Sequence, residues 1–265
     1  MSNPSFSVII CSIDPWKFAT CARHYESLLA GVPHEIIGIH DAKSLTEGYN
    51  RGLAQSRGDI IVFSHDDVLI LDEHFAGKII DRLTNYDILG LAGTRKLIGT
   101  AWFLAGHPFI HGVVAHAVGK RMTLTLYGVD DWPVAGGIQA IDGLLMIARR
   151  QTAVAVGFDA ETFDGFHLYD LDFSFAAHLA GHKIGVCCDM PVIHASGGDF
   201  TGNWRRYAER FQEKYAGRLA PEPEPGSAGR QYKGAEFSGY RALVSAWNPD
   251  TLRRGTVGLR RHAGK

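Results

Sequence analysis

The stretch Ile60-Ile61-Val62-Phe63-Ser64-His65-Asp66-Asp67-Val68 decides the fold. Its first half is β-branched and aromatic, which is typical of a buried strand. A histidine and two aspartates follow the strand at once. Because residues two apart on an extended chain point to the same side, His65 and Asp67 are predicted to face one site, with Asp66 pointing away from it.

Short apolar runs alternate with helical patterns around this strand. Strands are predicted over residues 6–11, 34–40, 59–63 and 88–92, and helices over residues 14–30, 44–55 and 72–86. Asp14-Pro15 supplies an N-cap and a first-turn proline, and Ser44 and Glu47 have the spacing of a capping box. The alternation indicates an α/β fold with a mainly parallel central sheet flanked by helices, in which ligands bind beyond the carboxyl ends of the strands.

The second half of the chain is less regular. Residues 93–137 are rich in glycine and histidine and are predicted to form irregular strands and a loop that shapes a pocket. The later elements are predicted as a strand over 138–148, a helix over 170–180, a strand over 183–187 and a helix over 203–215. A run of alternating Pro and Glu from Pro221 indicates a linker. Residues 1–220 are therefore predicted to form one domain, and residues 221–265 a linker with a basic C-terminal extension.

Composition limits the classes of function. A net charge of −1 over 265 residues gives no overall field that would attract nucleic acid. The basic extension is predicted to be solvated, with weak contact to an anionic membrane surface as the alternative. No apolar run is long enough for a membrane span, and four cysteines form no disulfide framework, so a soluble cytoplasmic protein is predicted.

Two histidine- and acid-bearing stretches suggest a metal site. Asp67 is a carboxylate of the kind that a hard divalent cation bridging a diphosphate needs, although Asp66 or Asp67 could equally cap a helix. His194 lies in Ile193-His194-Ala195-Ser196-Gly197-Gly198, where its imidazole could complete a site begun by Asp67 or remain a hydrogen-bonded loop histidine. Zinc binding by Cys187, Cys188 and His194 is disfavoured because adjacent cysteines lack the usual spacer.

Further polar residues sit at the predicted ends of elements. Asp170 and Asp172 lie at a helix start, where either could serve as a general base or Asp170 could cap the helix. Asp41 follows the second strand and could accept a hydrogen bond from a base or ribose, and Arg57 could contact phosphate. Each of these residues could instead be a cap or a surface residue.

These pieces, in their order and spacing from about Ser7 to Tyr215, resemble family 2 glycosyltransferases of the GT-A fold. More narrowly, they are similar to the glycosyltransferase-like branch named after a streptomycin-biosynthesis protein. The resemblance is carried by Ser7-Val8-Ile9-Ile10, Asn50-Arg51-Gly52-Leu53-Ala54, Arg57-Gly58-Asp59-Ile60-Ile61-Val62-Phe63, His65-Asp66-Asp67-Val68, Gly157-Phe158-Asp159, Tyr169-Asp170-Leu171-Asp172-Phe173 and Val192-Ile193-His194-Ala195-Ser196-Gly197-Gly198.

The resemblance implies a GT-A, Rossmann-like nucleotide-diphospho-sugar transferase that uses Mn²⁺ or Mg²⁺. It implies transfer from a nucleotide-sugar donor, by default a UDP-sugar, to a hydroxyl of a saccharide, lipid-linked or small-molecule acceptor, with inversion at the anomeric carbon. The implied metal ligands are Asp67, His194 and His65, and the implied base is Asp170, with Asp172 as competitor. The implied donor-binding residues are Cys11, Ser12, Asp41, Asn50, Arg57, His65, Asp66 and Asp142.

Two residues depart from the family pattern. His65 replaces the first Asp of Asp-x-Asp, and Tyr169 replaces the Glu before the implied base. The first change motivates an alternative, a sugar-nucleotide-binding protein without transferase activity. A nicotinamide-dependent enzyme is disfavoured because Ser12-Ile13-Asp14-Pro15, rather than a Gly-x-Gly-x-x-Gly turn, follows the first strand. A nucleotidylyltransferase would need a glycine-rich basic loop there.

Overall fold

The computed structural model describes residues 4–118, 121–128, 133–196, 202–221, 232–239 and 241–243. Within these ranges it contains fourteen strands, six α-helices and a short 3₁₀ helix. The helices are α1 Pro15–Leu28, α2 Leu45–Gln55, α3 Phe75–Arg82, α4 Arg150–Val156, α5 Tyr169–Leu179 and α6 Gly202–Lys214, and the 3₁₀ helix is Trp102–Ala105. The strands are β1 Phe6–Cys11, β2 His34–Ile39, β3 Ile60–Ser64, β4 Val68–Ile70, β5 Ile88–Gly90, β6 Ala92–Thr94, β7 Ile110–Val118, β8 Arg121–Gly128, β9 Val134–Ala135, β10 Ala140–Ile141, β11 Leu145–Arg149, β12 Ile184–Cys187, β13 Val192–His194 and β14 Tyr232–Phe237.

The first sheet has the order β2-β1-β3-β11-β5-β12-β9. β1 runs parallel to β2 and β3, and β12 runs parallel to β5. β11 lies antiparallel between β3 and β5, and β9 lies antiparallel to β12. The predicted α/β class is confirmed, but the prediction of a mainly parallel sheet is wrong. β11 enters from a tight turn at residues 142–144 rather than from a helical crossover, so it runs against its neighbours.

The second sheet has the order β10-β6-β7-β13-β4, with β8 on β7 and β14 on β8. β7 and β8 form a long antiparallel pair in the region predicted to be irregular. The prediction of irregular strands did not include the length and pairing of β7 and β8, because these follow from tertiary contacts rather than from a clean alternation of residues. β14 lies in the segment predicted as the C-terminal extension and pairs with β8. Residues 222–231 and 244–265, which include most of the linker and the basic tail, lie outside the described residues.

Local signals at the helix starts work as expected. The Asp14 side chain accepts hydrogen bonds from the N–H groups of Trp16 and Lys17, and Pro15 opens α1. Ser44 Oγ accepts from the Glu47 N–H, which starts α2. None of the helices in the described part of the chain is long and apolar enough to cross a membrane. None of the four cysteines, all of which lie in the described ranges, forms a disulfide bond.

Strand β3, which precedes His65, is buried along its whole length. All five residues of β3 are buried, and Phe63 packs in an aromatic cluster with Tyr49, Phe158 and Phe173. Beyond Phe63, the buried Tyr25 hydroxyl donates to Ser64 Oγ, which donates in turn to the His65 carbonyl, each over 2.8 Å. Packing and hydrogen bonds therefore fix the point from which the polar run His65-Asp66-Asp67 leaves the sheet.

Candidate functional site

The turn after β3 separates its two aspartates. Asp66 Oδ2 accepts a hydrogen bond of 2.6 Å from Ser12 Oγ, at the end of β1. Asp67 turns the other way, towards the end of β13, where its Oδ2 accepts from the Ser196 N–H over 3.0 Å. The two aspartates therefore point in opposite directions, as predicted, although they lie in a turn rather than in an extended segment.

His65, Asp67 and His194 form a compact cluster. His194 ends β13, and its Nε2 lies 3.5 Å from Asp67 Oδ1 and 3.2 Å from His65 Nδ1. One nitrogen or oxygen from each residue lies within 4.8 Å of the others. The Asp67 side chain is only 9% exposed and that of His194 11%. Two imidazoles and one carboxylate suit a cation that accepts nitrogen ligands, such as Mn²⁺, better than Mg²⁺, which prefers oxygen ligands.

The protonation states of His65 and Asp67 are those that a cation needs. Burial lowers the pKa of His65, and His194 lowers it further, which keeps the imidazole neutral near pH 7. Burial works to raise the pKa of Asp67, but His194, the Ser196 hydrogen bond and His65 outweigh it and hold that pKa below its ordinary value. A neutral imidazole and an ionised carboxylate are both ready to donate lone pairs.

Asp170 lies in the first turn of α5 beside the turn that carries Asp142. The N-cap of α5 is Leu168, in the left-handed region at φ 62°, so Asp170 does not cap the helix. Asp170 Oδ2 instead accepts a hydrogen bond of 2.8 Å from the Gly143 N–H. Burial raises the pKa of Asp170 to about 7, and the Asp142 carboxylate adds to the effect. A general base works best with a pKa near the operating pH, and a pKa of about 7 lies in that range.

The two acids of α5 have different surroundings. Asp172 Oδ1 lies 2.6 Å from Lys214 Nζ and accepts a hydrogen bond of 2.7 Å from the Tyr215 hydroxyl. Burial raises the pKa of Asp172, against the opposing effect of Lys214. On a helix, a two-residue step rotates a side chain by about 200°, so Asp172 ties α5 to α6 while Asp170 faces the other side.

A cavity of about 270 Å³ lies between Asp170 and two histidines of the cluster, His65 and His194. Its polar lining includes His65, His194, Asp142 and Asp170. The Asp142 carboxylate is held by the Trp102 Nε1–H over 2.7 Å and by the Leu144 N–H over 2.8 Å. The aromatic part of the wall consists of Trp102, Phe103, Tyr127, Phe166, Tyr169 and Trp204. A larger cavity of about 820 Å³, near Asp59, Arg149 and Val154, is lined by none of the predicted site residues.

Five of the predicted donor-binding residues lie at the carboxyl ends of β1, β2 and β3, namely Cys11, Ser12, Asp41, His65 and Asp66. Cys11 ends β1 and Ser12 follows it, bonded to Asp66. Asp41 follows β2 and forms an exposed ion pair of 2.8 Å with Arg51, whose hydrogen bond holds the pKa of Asp41 below its ordinary value. This edge is where ligands bind in open α/β sheets.

Asn50 and Arg57 lie elsewhere. The Asn50 side-chain amide forms two hydrogen bonds with the Phe158 backbone. It donates to the Phe158 carbonyl over 2.8 Å and accepts from the Phe158 N–H over 3.0 Å. Arg57 precedes β3, at the amino ends of the strands, and pairs with Glu35 over 3.4 Å. Their predicted contacts with the nucleotide therefore have no support from their positions.

We expect Asn50→Ala to lower the free energy of unfolding by about 2 kcal/mol, because two hydrogen bonds are lost at about 1 kcal/mol each. Urea denaturation measures the change. Arg57→Ala is the matched control, since its side chain is 88% exposed and such substitutions usually change stability by less than about 0.5 kcal/mol. A variant of normal stability that had lost affinity for UDP would instead support the nucleotide contact predicted for Asn50.

Two neighbours of the metal cluster were not predicted as site residues. His116 of β7 lies beside His194 in the parallel register of β7 and β13, with ring centroids 5.6 Å apart. Burial and the neighbouring His194 lower the pKa of His116. The Tyr169 hydroxyl lies 2.5 Å from His65 Nε2. No local sequence signal reveals either contact, because each depends on the pairing of distant elements.

A protein-family model described as "Glycosyltransferase like family" matches residues 7–215. The chain belongs to this glycosyltransferase-like family. The match extends from β1 to α6 and so includes His65, Asp67, His194 and Asp170. No curated protein matches the chain significantly.

Solved structures show weaker likeness. A mutant of Drosophila β-1,4-galactosyltransferase 7, in complex with manganese, UDP-Gal and xylobiose, is 15% identical, with a TM-score of 0.40 over 68% of this chain and 63% of that one. Staphylococcus aureus TarS, residues 1–349, is 14% identical, with a TM-score of 0.44 over 72% and 60%. Its complex with UDP-GlcNAc is 12% identical, with a TM-score of 0.43 over 73% and 60%. The chain thus spans less than two thirds of the length of each of these structures.

Proposed function

We propose that this protein is a metal-dependent glycosyltransferase of the GT-A type that transfers a sugar from a nucleotide-diphosphate donor, a UDP-sugar, to an acceptor hydroxyl. The observation that carries the proposal is the shared cavity, which His65 and His194 of the cluster line together with Asp170, while Asp67 lies behind His194 within the same cluster. Membership of the glycosyltransferase-like family supports sugar transfer as the reaction. The catalytic domain comprises residues 1–220, and residues 221–265 form an extension whose β14 adds a strand beside β8.

The metal cluster serves the leaving group. His65, Asp67 and His194 supply three ligands for one divalent cation, with Mn²⁺ favoured over Mg²⁺ by the two imidazoles. When bound, the cation neutralises the charge that develops on the departing nucleoside diphosphate. The polar residues at the strand ends, Ser12, Asp41 and Asp66, bind the nucleotide on the adjacent edge of the sheet.

Asp170 serves the acceptor. Its carboxylate takes the proton of the acceptor hydroxyl as that oxygen attacks the anomeric carbon, and burial raises its pKa to about 7, close to neutral pH. The Gly143 N–H holds the carboxylate in place. A single base and direct displacement predict inversion at the anomeric carbon. The aromatic walls exclude water from the cavity and provide flat apolar surfaces for the acceptor.

A donor-turnover assay tests the proposal. UDP-Glc, UDP-Gal and UDP-GlcNAc are each incubated with the protein and Mn²⁺, with and without simple glycoside acceptors, and released UDP is measured. We expect UDP release from at least one donor, its loss on adding EDTA, and weaker activity with Mg²⁺. Binding of a UDP-sugar without hydrolysis or transfer would favour the alternative, a sugar-nucleotide-binding protein, which the histidine at position 65 motivates.

A further inference from the structure

The Tyr169 phenol lies against the side of His65 that faces away from the metal cluster. Its oxygen is 2.5 Å from His65 Nε2, while His65 Nδ1 lies 3.2 Å from His194 Nε2. Tyr169 is only 4% exposed, so little water competes for this hydrogen bond. The two nitrogens of one imidazole thus have two separate tasks, one towards the tyrosine and one towards the cluster.

The tautomer of His65 decides whether it can be a ligand. A neutral imidazole carries one N–H and one lone pair. With the hydrogen on Nε2 and donated to the phenol oxygen, the lone pair of Nδ1 faces Asp67 and His194. With the hydrogen on Nδ1, the phenol O–H donates to Nε2, an N–H points into the cluster and no lone pair is available there. Metal-binding histidines generally donate their second N–H to an oxygen, so the phenol oxygen would accept from Nε2 once Nδ1 holds a metal.

Tyr169 is itself held in place. It is the first residue of α5, and its ring packs against the ring of Tyr49 with centroids 5.8 Å apart. The opposite turn approaches so closely that a Cβ at Gly143 would collide with the Tyr169 hydroxyl. The phenol oxygen therefore occupies a fixed position rather than one of several rotamers, which is what an orienting partner requires.

We propose that Tyr169 is a positioning residue of the metal site, whose phenol oxygen keeps Nε2 of His65 turned away from the cluster and accepts its N–H when Nδ1 serves as a ligand. The inference rests on the proposed metal-dependent function, which gives that lone pair its use. It also joins the two departures from the family pattern: a histidine at position 65 needs an oxygen partner for its second nitrogen, and the tyrosine at position 169 supplies one.

Tyr169→Phe tests this inference because it removes the oxygen and keeps the ring. The first measurement is the tautomer of His65 in the metal-free protein, from the imidazole ¹⁵N chemical shifts, assigned with a His65→Asn sample. We expect the Nδ1–H form in the metal-free parent protein, because the phenol O–H donates to Nε2, and a mixture of forms in the variant. The second measurement is Mn²⁺ affinity by calorimetry, which we expect to fall about 10- to 100-fold, as it does for lost partners of metal-binding histidines.

Tyr49→Phe is the matched control. It removes another buried hydroxyl, one that has no hydrogen-bond partner among the described residues. We expect it to leave both the His65 tautomer and Mn²⁺ affinity unchanged. Thermal unfolding of both variants shows whether the fold is kept.

Three outcomes separate this inference from the proposed function. An unchanged tautomer and an unchanged Mn²⁺ affinity in Tyr169→Phe overturn the positioning role. Equal losses in Tyr169→Phe and Tyr49→Phe also overturn it, because they indicate general loosening. A parent protein that binds no Mn²⁺ contradicts the proposed metal function, and the tautomer measurement then decides by itself whether Tyr169 orients His65.

Discussion

Asp170→Asn is expected to lower kcat for sugar transfer by about 10²- to 10⁴-fold, the usual contribution of a positioned general base. Asparagine has the same shape and can still accept the hydrogen bond from the Gly143 N–H. It cannot take a proton from the acceptor hydroxyl. Steady-state kinetics at saturating donor measures the effect, and UDP affinity should stay close to that of the parent protein because the cavity that Asp170 lines is not lined by the proposed nucleotide-binding residues Ser12, Asp41 and Asp66.

Asp172→Asn is the matched control for Asp170→Asn, since it makes the same change two residues along the same helix. Asp172 is tied to Lys214 and Tyr215, so we expect a loss of stability and a much smaller change in kcat. A larger loss of kcat in Asp172→Asn than in Asp170→Asn would reverse the assignment of the base.

The pH profile gives the same assignment a second test. A general base acts in its ionised form, and burial raises the pKa of Asp170 to about 7. The kcat of the parent protein should therefore rise with pH through about 7 and level off above it. The residual activity of Asp170→Asn should lack this rise. A profile that falls as pH increases through 7 would contradict the role of Asp170 as base.

Asp67→Asn is expected to have the second large effect. It removes the only carboxylate of the His65-Asp67-His194 cluster while keeping the shape of the side chain. Loss of an indirect partner of a metal ligand weakens binding by about 10- to 100-fold, so loss of the carboxylate itself should raise the Kd for Mn²⁺ by more than about 100-fold. Calorimetry with Mn²⁺ measures binding, and UDP release measures the accompanying loss of turnover.

Asp66→Asn controls for charge in this second experiment. It alters the neighbouring residue by the same chemistry, but Asp66 faces Ser12 rather than the cluster. We expect nearly normal Mn²⁺ affinity and weaker binding of UDP. The reverse result, with Mn²⁺ binding lost in Asp66→Asn and kept in Asp67→Asn, would show that the two aspartates have been assigned to the wrong roles.

Local sequence signals predicted the parts of the fold that short-range chemistry determines. The apolar run before His65 became a buried strand, and Asp14 and Ser44 became N-caps, because each signal acts within a few residues. The direction of β11 could not be predicted in this way. It depends on how the turn at 142–144 joins the two sheets, and an apolar strand has the same sequence pattern in either direction.

The candidate site was predictable where topology and alternation apply. Both rules placed His65 and Asp67 beyond the end of β3 on one side of the chain. Because Arg57 precedes β3, the same topological rule places it at the opposite edge of the sheet from the ligand-binding edge. The predicted contact between Arg57 and phosphate did not take this rule into account. His116 and Tyr169 join the site through pairing and packing between elements far apart in sequence, which no local pattern encodes.

The most direct test of the account is a crystal of the protein grown with Mn²⁺ and UDP and measured at a wavelength where manganese scatters anomalously. We predict one anomalous peak within about 2.5 Å of the Asp67 carboxylate, His65 Nδ1 and His194 Nε2, and we expect the diphosphate of UDP to bind the same cation. An anomalous peak that lies away from these three side chains, or the absence of any peak beside bound UDP, would contradict this prediction.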